Sequence, residues 1–440
     1  MLDSGARLTT SGWHAAPTSR VGTPACRAHK IPGMLTVRGR AALAAGAAAR
    51  WASRVTGRGA GAMIGGLVAM TLDRSVLRQL GQGRRTAIVT GTNGKSTTTR
   101  MIAAALAPLG PVASNTEGAN MDAGLVSALA ANRDAGLAAL EVDEMHVPHV
   151  SDAVSPSVIV LLNLSRDQLD RVGEINHIER TLRAGLARHP DAVIVANCDD
   201  VLMTSAAYDN PDVVWVAAGG TWANDSVSCP RSGEVIVRDG RDWYSTGTDF
   251  KRPSPQWWFD ETHIHGPDGL SVPMELALPG TVNRGNATQA VAAAVALGAD
   301  PVAAVAAVST VDEVAGRYRT VQVGPRHTAR VLLAKNPAGW QEALSMVDRT
   351  GAGVVIAVNG QVPDGEDLSW LWDVRFEDFS GVQVVAAGER GTDLAVRLGY
   401  ADVEHTLVHD TISAIKSCPP GHVEVIANYT AFLQLNRRLS

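Results

Sequence analysis

The run TGTNGKSTTT, residues 90–99, groups side chains suited to holding a polyphosphate. Gly91 and Gly94 let the backbone turn tightly, Lys95 offers a point positive charge, and Ser96 heads four consecutive hydroxyl residues. A glycine loop that runs into a helix aims free backbone N–H groups at an anion, and the helix dipole adds positive potential there. The lysine then reaches the β- and γ-phosphates, and the serine hydroxyl is a ligand for Mg²⁺. The common phosphate loop, G-x-x-x-x-G-K-[ST], carries an earlier glycine five positions before the second. Val89 stands there instead.

Such a loop needs a strand before it and a helix after it. RTAIVT (85–90) is a short apolar run ending at Gly91, and 96–109 reads as a helix with Met101, Ile102, Ala105 and Leu106 on one face. A lone G-K-S triplet is common, and this context separates it from chance. LAALEVDE (137–144), SVIVLLNLS (157–165) and AVIVANCDD (192–200) are continuous apolar runs that end in polar residues. Continuous rather than alternating patterning marks central strands of a parallel sheet, whose carboxyl ends hold the sites of α/β proteins. LALPGTVNRGNATQAVAAAVALGA (276–299) reads as a strand end, a loop with two Asn and an Ala-rich helix. From about 213 to 272 the pattern breaks into turns and short alternating pieces, as in a small β insertion. ARVLLAK, GVVIAVNG, VQVVAAG, HTLVH and VEVIANY then mark a second α/β unit beyond about 320.

The chain has 440 residues, enough for two or three domains, with 45% hydrophobic and 19% charged residues. A net charge of -5 speaks against nucleic-acid binding. Cys26, Cys198, Cys229 and Cys418 are far apart and form no C-x-x-C pair, which fits a reducing cytoplasm rather than a disulfide framework. No apolar run reaches the roughly 18 residues of a membrane span. Residues 1–33 are rich in Gly, Pro, Ser and Thr, lack the apolar core of a secretory signal, and are expected to be disordered or non-native, with Met34 opening the organised chain. No Asp or Glu occurs from Ser4 to Leu72, against nine Arg or Lys. Arg50, Arg54 and Arg58 follow at i, i+4 and i+8 on one helical face. That fits either a solvated helix or contact with an anionic membrane surface.

Taken together, these motifs resemble the Mur ligase superfamily. TGTNGKST is similar to its ATP loop, G-T-[NK]-G-K-[ST], which lacks the early glycine and leaves Val89 in a strand. EVDE (141–144), NLSRDQLDRVGE (163–174), NCDD (197–200), PGTVNRGNATQA (279–290) and Gly316–Arg317 resemble further superfamily segments in the same order, with Gln168 where many ligases have His. Within the superfamily, SNTEGANM (114–121), LAKNPAGW (333–340) and DGEDLSWLWDVRFE (364–377) resemble the MurT family. These are the ligase-like subunits of lipid II isoglutaminyl synthase, which work with the GatD glutaminase.

The resemblance implies a Mur ligase-like central ATPase domain over 34–315, with a mostly parallel sheet and a β insertion at about 220–272, then a Rossmann-like α/β domain over 316–440. It implies ATP and Mg²⁺ as cofactors. Gly91, Thr92, Asn93, Gly94, Lys95, Ser96, Thr97, Asn283, Asn286 and Arg317 would hold the nucleotide. Ser96 and Glu141 would bind Mg²⁺. Asn115, Asn120, Lys335 and Asn336 would face the substrate. The activity implied is amidation of the D-glutamate α-carboxylate of lipid II to D-isoglutamine through an acyl phosphate, at the inner membrane face. Ammonia would come from a GatD-type subunit in a heterodimer, with Asp367 completing that partner's Cys–His pair; Asp364 and Asp373 are nearby alternatives. Helix capping is the plainer role for such loop carboxylates. Trp370 and Trp372 suit a partner interface or a core. A stand-alone amino-acid ligase of the folylpolyglutamate synthetase kind is the competing reading.

One departure concerns zinc. Many MurT proteins carry a Cys₄ ribbon in the insertion. Here Cys229 keeps one ligand position and Ser232, Ser245 and Thr248 occupy the others. One thiolate and three hydroxyls do not make a zinc site. His263 and His265 are expected to alternate across a strand and so not to rescue it. The ribbon's hairpins are expected to persist by packing of Trp243, Trp257 and Trp258.

Overall fold

A computed structural model describes residues 35–55, 62–115, 119–166, 174–220, 222–312, 318–365, 367–379 and 381–439. The expected N-terminal extension, Gln168 and the Gly316–Arg317 pair lie outside the described residues.

The apolar runs become β1 (Arg85–Thr90), β2 (Val112–Ser114), β3 (Leu137–Glu141), β4 (Val158–Leu161), β5 (Val193–Asn197) and β6 (Val213–Val216). They form one parallel sheet in the order β2-β3-β1-β4-β5-β6. The runs are continuously apolar because both faces are covered. Ala87 and Val89 of β1 point into one core and Ile88 into the other. Ten α-helices among the described residues serve this unit in chain order: α1 (Val37–Val55), α2 (Ala62–Leu72), α3 (Val76–Gly81), α4 (Lys95–Leu106), α5 (Asp122–Ala131), α6 (Val147–Val154), α7 (Glu174–Leu186), α8 (Val201–Ala207), α9 (Thr281–Ala296) and α10 (Pro301–Ser309). Helices α4, α9 and α10 cover the Val89 face; α3, α5, α6, α7 and α8 cover the other. Alanine dominates α9 because it runs against α4 and the sheet at close range, where larger side chains would overpack. Arg84 fixes the start of β1. Its buried guanidinium donates to the carbonyls of Leu80, Asn132 and Ala135 at 2.8, 2.8 and 2.7 Å, tying the ends of α3 and α5 to the strand.

Helices α1 and α2 form an antiparallel pair ahead of the sheet. Arg38 Nε donates to the Leu72 carbonyl at one end. Gly46 and Gly65 meet at the crossing, where a Cβ on Gly65 would lie 2.9 Å from the Gly46 carbonyl.

Between β6 and α9 the insertion holds a hairpin of β7 (Ile236–Asp239) and β8 (Asp242–Ser245), and a small sheet of β9 (Trp258–Phe259), β10 (His263–His265) and β11 (Ser271–Pro273). No strand end forms at 276–278; these residues lead irregularly into α9. The hairpin is held by apolar packing. Trp243 is buried with Val201, Cys229, Ile236 and Phe250, and its indole N–H donates to the Cys198 carbonyl at 3.0 Å. Trp257 joins the main core, whereas Trp258 is largely exposed and stacks on His265 instead. The expectation for that third tryptophan was therefore wrong, because β9 is an edge strand of a thin sheet. His263 and His265 do not alternate across the strand. They share one face, as i, i+2 strand residues must, with Ile264 pointing into the core between them. Their carboxylate neighbour is Asp260, 2.8 Å from His265 Nε2. Burial pushes the Cys229 thiol up, but hydrogen bonds from Ser232, Ser245 and nearby backbone N–H groups bring it below its usual value.

The second unit has β12 (Tyr318–Val323), β13 (His327–Leu333), β14 (Gly353–Ala357), β15 (Val384–Ala387), β16 (His405–Leu407) and β17 (Gly421–Ala427) in the order β12-β13-β17-β14-β15-β16. Only β12 and β13 pair antiparallel. Helices α11 (Pro337–Ser345), α12 (Gly391–Tyr400), α13 (Thr411–Ser417) and α14 (Tyr429–Leu439) flank it.

Truncating Trp243 to Ala should cost about 3–5 kcal/mol in denaturant unfolding, as for other large buried aromatics. Purified protein should carry far less than one zinc per chain by elemental analysis, and a chelator should leave its melting temperature unchanged.

Candidate active site

The phosphate-type loop lies where the strand order reverses, between β1 and β4, as ligand sites do in open α/β sheets. Val89 is fully buried within β1 and pairs with Glu141 of β3, so it is a strand residue and the loop proper starts at Gly91. Gly91 has φ 139° and Gly94 φ 86°, both in the region that favours glycine. A Cβ on Gly91 would lie 2.9 Å from the Asn163 carbonyl, and one on Gly94 would lie 2.8 Å from Asn286 Oδ1. The loop is pinned to the end of β4. Thr92 N–H donates to the Asn163 carbonyl at 2.9 Å, Asn93 N–H donates to Asn163 Oδ1 at 2.9 Å, and Asn163 Nδ2 returns a bond to the Asn93 carbonyl at 3.0 Å. Thr92 Oγ1 and the Ser165 backbone exchange bonds of 3.1 and 3.0 Å.

Lys95 opens α4 and curls back over the loop. Its ammonium donates to the Gly91 carbonyl, to the Thr92 carbonyl at 3.3 Å and to Glu144 Oε1 at 3.3 Å. Ser96 is half-buried in the first turn and Thr97 is buried. Glu141, at the carboxyl end of β3, is buried, and its Oε2 has no hydrogen-bond partner among the described residues. Asn115 holds Glu141 by the backbone: Oδ1 accepts from the Glu141 N–H at 2.8 Å and Nδ2 donates to its carbonyl at 2.8 Å. Nδ2 also donates to the Ala119 carbonyl at 3.0 Å. Asn115 thus positions the acidic strand end, while Asn120 accepts from the Asp143 N–H through its carbonyl and is half-buried.

Asn283 and Asn286 are buried in the first turns of α9. Asn283 Nδ2 donates to the Pro279 carbonyl at 2.6 Å, and Asn286 abuts Gly94. Gln289, one turn on, donates to the Leu161 carbonyl at 2.9 Å and locks α9 to β4. A cleft runs from Asn93 and Asn286 past Asn163, the carboxyl end of β5 and the Gly219–Gly220 turn, with α11 on its far side. Asp199 and Asp200 line it. Asp199 binds Arg252 and the Gly219 N–H, while Asp200 caps α8 through the Met203 N–H at 2.8 Å and accepts from Leu164 N–H at 3.0 Å. Burial pushes Asp200 up to about 6 against those backbone bonds and the Arg238 charge. Burial and the Asp199 carboxylate push the neighbouring Cys198 thiol up to about 12, so it is not a nucleophile.

Asn336 comes from the second unit. It caps α11 through the Gly339 N–H at 2.8 Å and exchanges amide hydrogen bonds with Asn93 of the loop at 3.1 and 3.4 Å. Lys335 lies with its ammonium 5.2 Å from the Tyr429 ring centroid. Asp364 is engaged with the Thr430 N–H at 2.9 Å and the Thr430 hydroxyl, which docks α14. Asp367 is exposed and accepts from the Ser369 N–H at 2.8 Å, the capping bond open to any such loop carboxylate. Trp370 is buried, stacked 5.4 Å from Trp340. Trp372 is exposed and meets Tyr400 edge-on, with Arg397 on its face. The sequence reading placed Glu144, Asn163 and Ser165 in motifs at the polar ends of apolar runs and gave them no individual roles.

The Mur ligase middle domain family model matches residues 89–294, and the MurT ligase C-terminal model matches 333–432. The chain is 30% identical over 421 residues to the MurT subunit of lipid II isoglutaminyl synthase (glutamine-hydrolyzing) from Staphylococcus aureus strain N315, covering 88% of this chain and 96% of that protein. It is 28% identical to the same-named subunit of Streptococcus pneumoniae R6, covering 87% and 93%. Among solved structures, a pseudomurein peptide ligase type C from Methanothermus fervidus matches with a TM-score of 0.64 at 18% identity, covering 83% of this chain and 80% of that one. MurF from Acinetobacter baumannii matches at 0.60 and 20% identity, covering 84% and 79%. These solved structures share the fold, and the full-length likeness to the two bacterial subunits, with both family models in their expected order, shows that the chain belongs to the MurT family of the Mur ligase superfamily.

Proposed function

We propose that this chain is the ATP-dependent subunit of a lipid II amidating enzyme. It activates the α-carboxylate of D-glutamate in the stem peptide as an acyl phosphate, and ammonia displaces phosphate to give D-isoglutamine. The observation that carries the ATP half is the glycine cradle beside the buried, unpartnered Glu141 Oε2. Such an orphaned carboxylate oxygen is costly unless something binds it. The relatives' name supports the amidation half.

The residues present fit ATP with Mg²⁺. Glu141 and the Ser96 hydroxyl would hold the metal, which would supply positive charge for phosphoryl transfer. Free N–H groups at the start of α4 bind phosphate oxygens. Lys95, held by Glu144 and the loop carbonyls, already points over the cradle and neutralises charge on the transferring group, a task Arg317 would share. Asn286 and Asn163 back the loop so that it keeps its shape when charge arrives. Asn336 joins the second unit to Asn93, and Lys335 next to it would face the substrate.

Ammonia would come from a GatD-type glutaminase in a heterodimer. Asp367 is exposed, five residues before the exposed Trp372, and would complete that partner's Cys–His pair. No helix among the described residues is long and apolar enough to cross a membrane. The proposed workplace is the cytoplasmic membrane face, where a lipid-linked substrate presents its peptide.

With the glutaminase co-expressed, Lys95→Ala should lower glutamine- and ATP-dependent amidation of lipid II by about a hundredfold or more, as loss of a transition-state charge does. Retained amidation would sink the ATP assignment. Asp367→Asn should abolish glutamine hydrolysis by the complex while ATP binding and melting temperature stay unchanged, since the residue is exposed. Glutaminase activity at the parental level would remove Asp367 from the proposed triad.

A further inference from the structure

Outside the phosphate site, one group of side chains has the composition and spacing of a metal centre. His146 and His149 stand three residues apart at the start of α6, so their rings lie on one face. Opposite them, Asp122 opens α5. His146 Nδ1–H donates to Asp122 Oδ1 at 3.0 Å, and His149 Nε2–H donates to Oδ1 and Oδ2 at 2.8 and 2.9 Å. The two ring centroids are 5.0 Å apart. The three donor atoms lie within 4.8 Å of one another.

An ion bonded at about 2.1 Å to imidazole and carboxylate sets neighbouring ligand atoms roughly 3.0–3.4 Å apart. The His–Asp separations are just below that range, so small side-chain rotations would seat an ion among all three. Hydrogen bonding alone crowds both imidazoles onto a single oxygen, Asp122 Oδ1, whereas an ion takes one lone pair from each ligand. Two imidazoles and one carboxylate suit a borderline ion such as Zn²⁺ or Co²⁺; Mg²⁺ and Ca²⁺ prefer shells of oxygen. The group shares no residue with the set proposed to hold ATP and Mg²⁺, nor with the Cys229 region of the insertion.

Its place in the fold gives an ion something to do. His146 N–H donates to the Asp143 carbonyl at 2.9 Å, and Asp143 N–H donates to the Asn120 carbonyl at 3.2 Å. These bonds link the chain leaving Glu141 to the chain entering α5. The turn between them carries Glu144, the partner of Lys95. An ion on Asp122, His146 and His149 would clamp the same two segments a second time and stiffen the wall from which Glu144 reaches the phosphate loop. The clamp is loose. It has three protein ligands, His149 is exposed, and the N-termini of α5 and α6 add positive potential. Such an ion exchanges with solution and is lost on purification, unlike one in a closed four-ligand site.

We infer that Asp122, His146 and His149 form a reversible site for a divalent transition ion of the Zn²⁺ type, which clips the start of α5 to the start of α6.

The test uses the full chain without a histidine tag, in excess Mg²⁺ and without nucleotide, titrated with Zn²⁺ and separately with Co²⁺. Saturating Zn²⁺ should raise the melting temperature by about 2–5 °C. Co²⁺ should develop the visible absorption of a nitrogen-ligated ion. His149→Gln should weaken both responses at least about tenfold. Its melting temperature without metal should match the parent's, because the side chain is exposed. The double variant His146→Gln, His149→Gln should abolish both responses. Cys229→Ser and His265→Gln, which alter the other candidate zinc ligands, should respond as the parent does. No response from the parent overturns the proposal, as does an undiminished response from either His149 variant. Loss of the response in Cys229→Ser or His265→Gln also overturns it, by moving the ion to the insertion. None of these readouts involves ATP, lipid II or a glutaminase, so their outcome is independent of the amidation reading.

Discussion

The approach of the loop backbone to the end of β4 is the constraint on which the rest of the site depends. Gly91 lies against the Asn163 peptide so tightly that no side chain fits, and Asn163 then bonds both sides of Asn93. This contact forms where the parallel sheet reverses its order. The residues proposed to hold ATP and Mg²⁺ are referenced to it. Lys95 is the first residue of the helix that the loop starts, and Glu141 sits on β3, paired directly with β1. Asn286 closes the cradle from α9. An alanine-rich α9 is what permits that closeness, since each larger side chain would push the helix and its Asn pair away from the loop.

A second contact joins the two halves of the chain. Asn93 and Asn336 exchange amide bonds across a separation of 243 residues. Both side chains are neutral, so the contact carries no desolvated charge and can be remade as the loop fills. Asn336 also caps α11, which couples the orientation of that helix to the loop. The cleft between α9, β5 and α11 is therefore bounded by groups whose positions are set from both sheets.

The insertion hairpin carries one cysteine, Cys229, and is organised by apolar packing. Cys229, Ser232 and Ser245 still converge, but the hairpin is organised by Trp243 and Phe250 packed on α8. Its ties to the parallel-sheet unit include the indole bond to the Cys198 carbonyl, the Arg252–Asp199 ion pair beside the turn that lines the cleft, and the bonds from Arg231 to Ser205 and Asp209. Apolar burial suffices to organise the hairpin because it rests on a larger domain instead of folding alone.

What the sequence by itself determined is the local part of the design. The strand, glycine loop and helix are contiguous, so apolar runs, glycines and the Lys–Ser pair specify them without help from elsewhere. The order of motifs then specified the family, and with it the parallel sheet and the second α/β unit. What only the tertiary structure decided are pairings between distant segments. Lys95 meets Glu144 across 49 residues, and Asn93 meets Asn336 across far more. Of two nearby tryptophans one is core and one is surface, because Trp370 stacks on Trp340 while Trp372 looks outward to Tyr400. His263 and His265 prove to be neighbours once the strand pleat sets their face. The packing of α1 on α2 was equally hidden. Helices made of Ala and Gly have weak periodicity, and contacts such as Gly46 with Gly65 and Gly66 with Ala123 fix which side is inside. Patterning along a chain records which residues prefer burial, whereas long-range contacts choose among faces that patterning leaves nearly equal in energy.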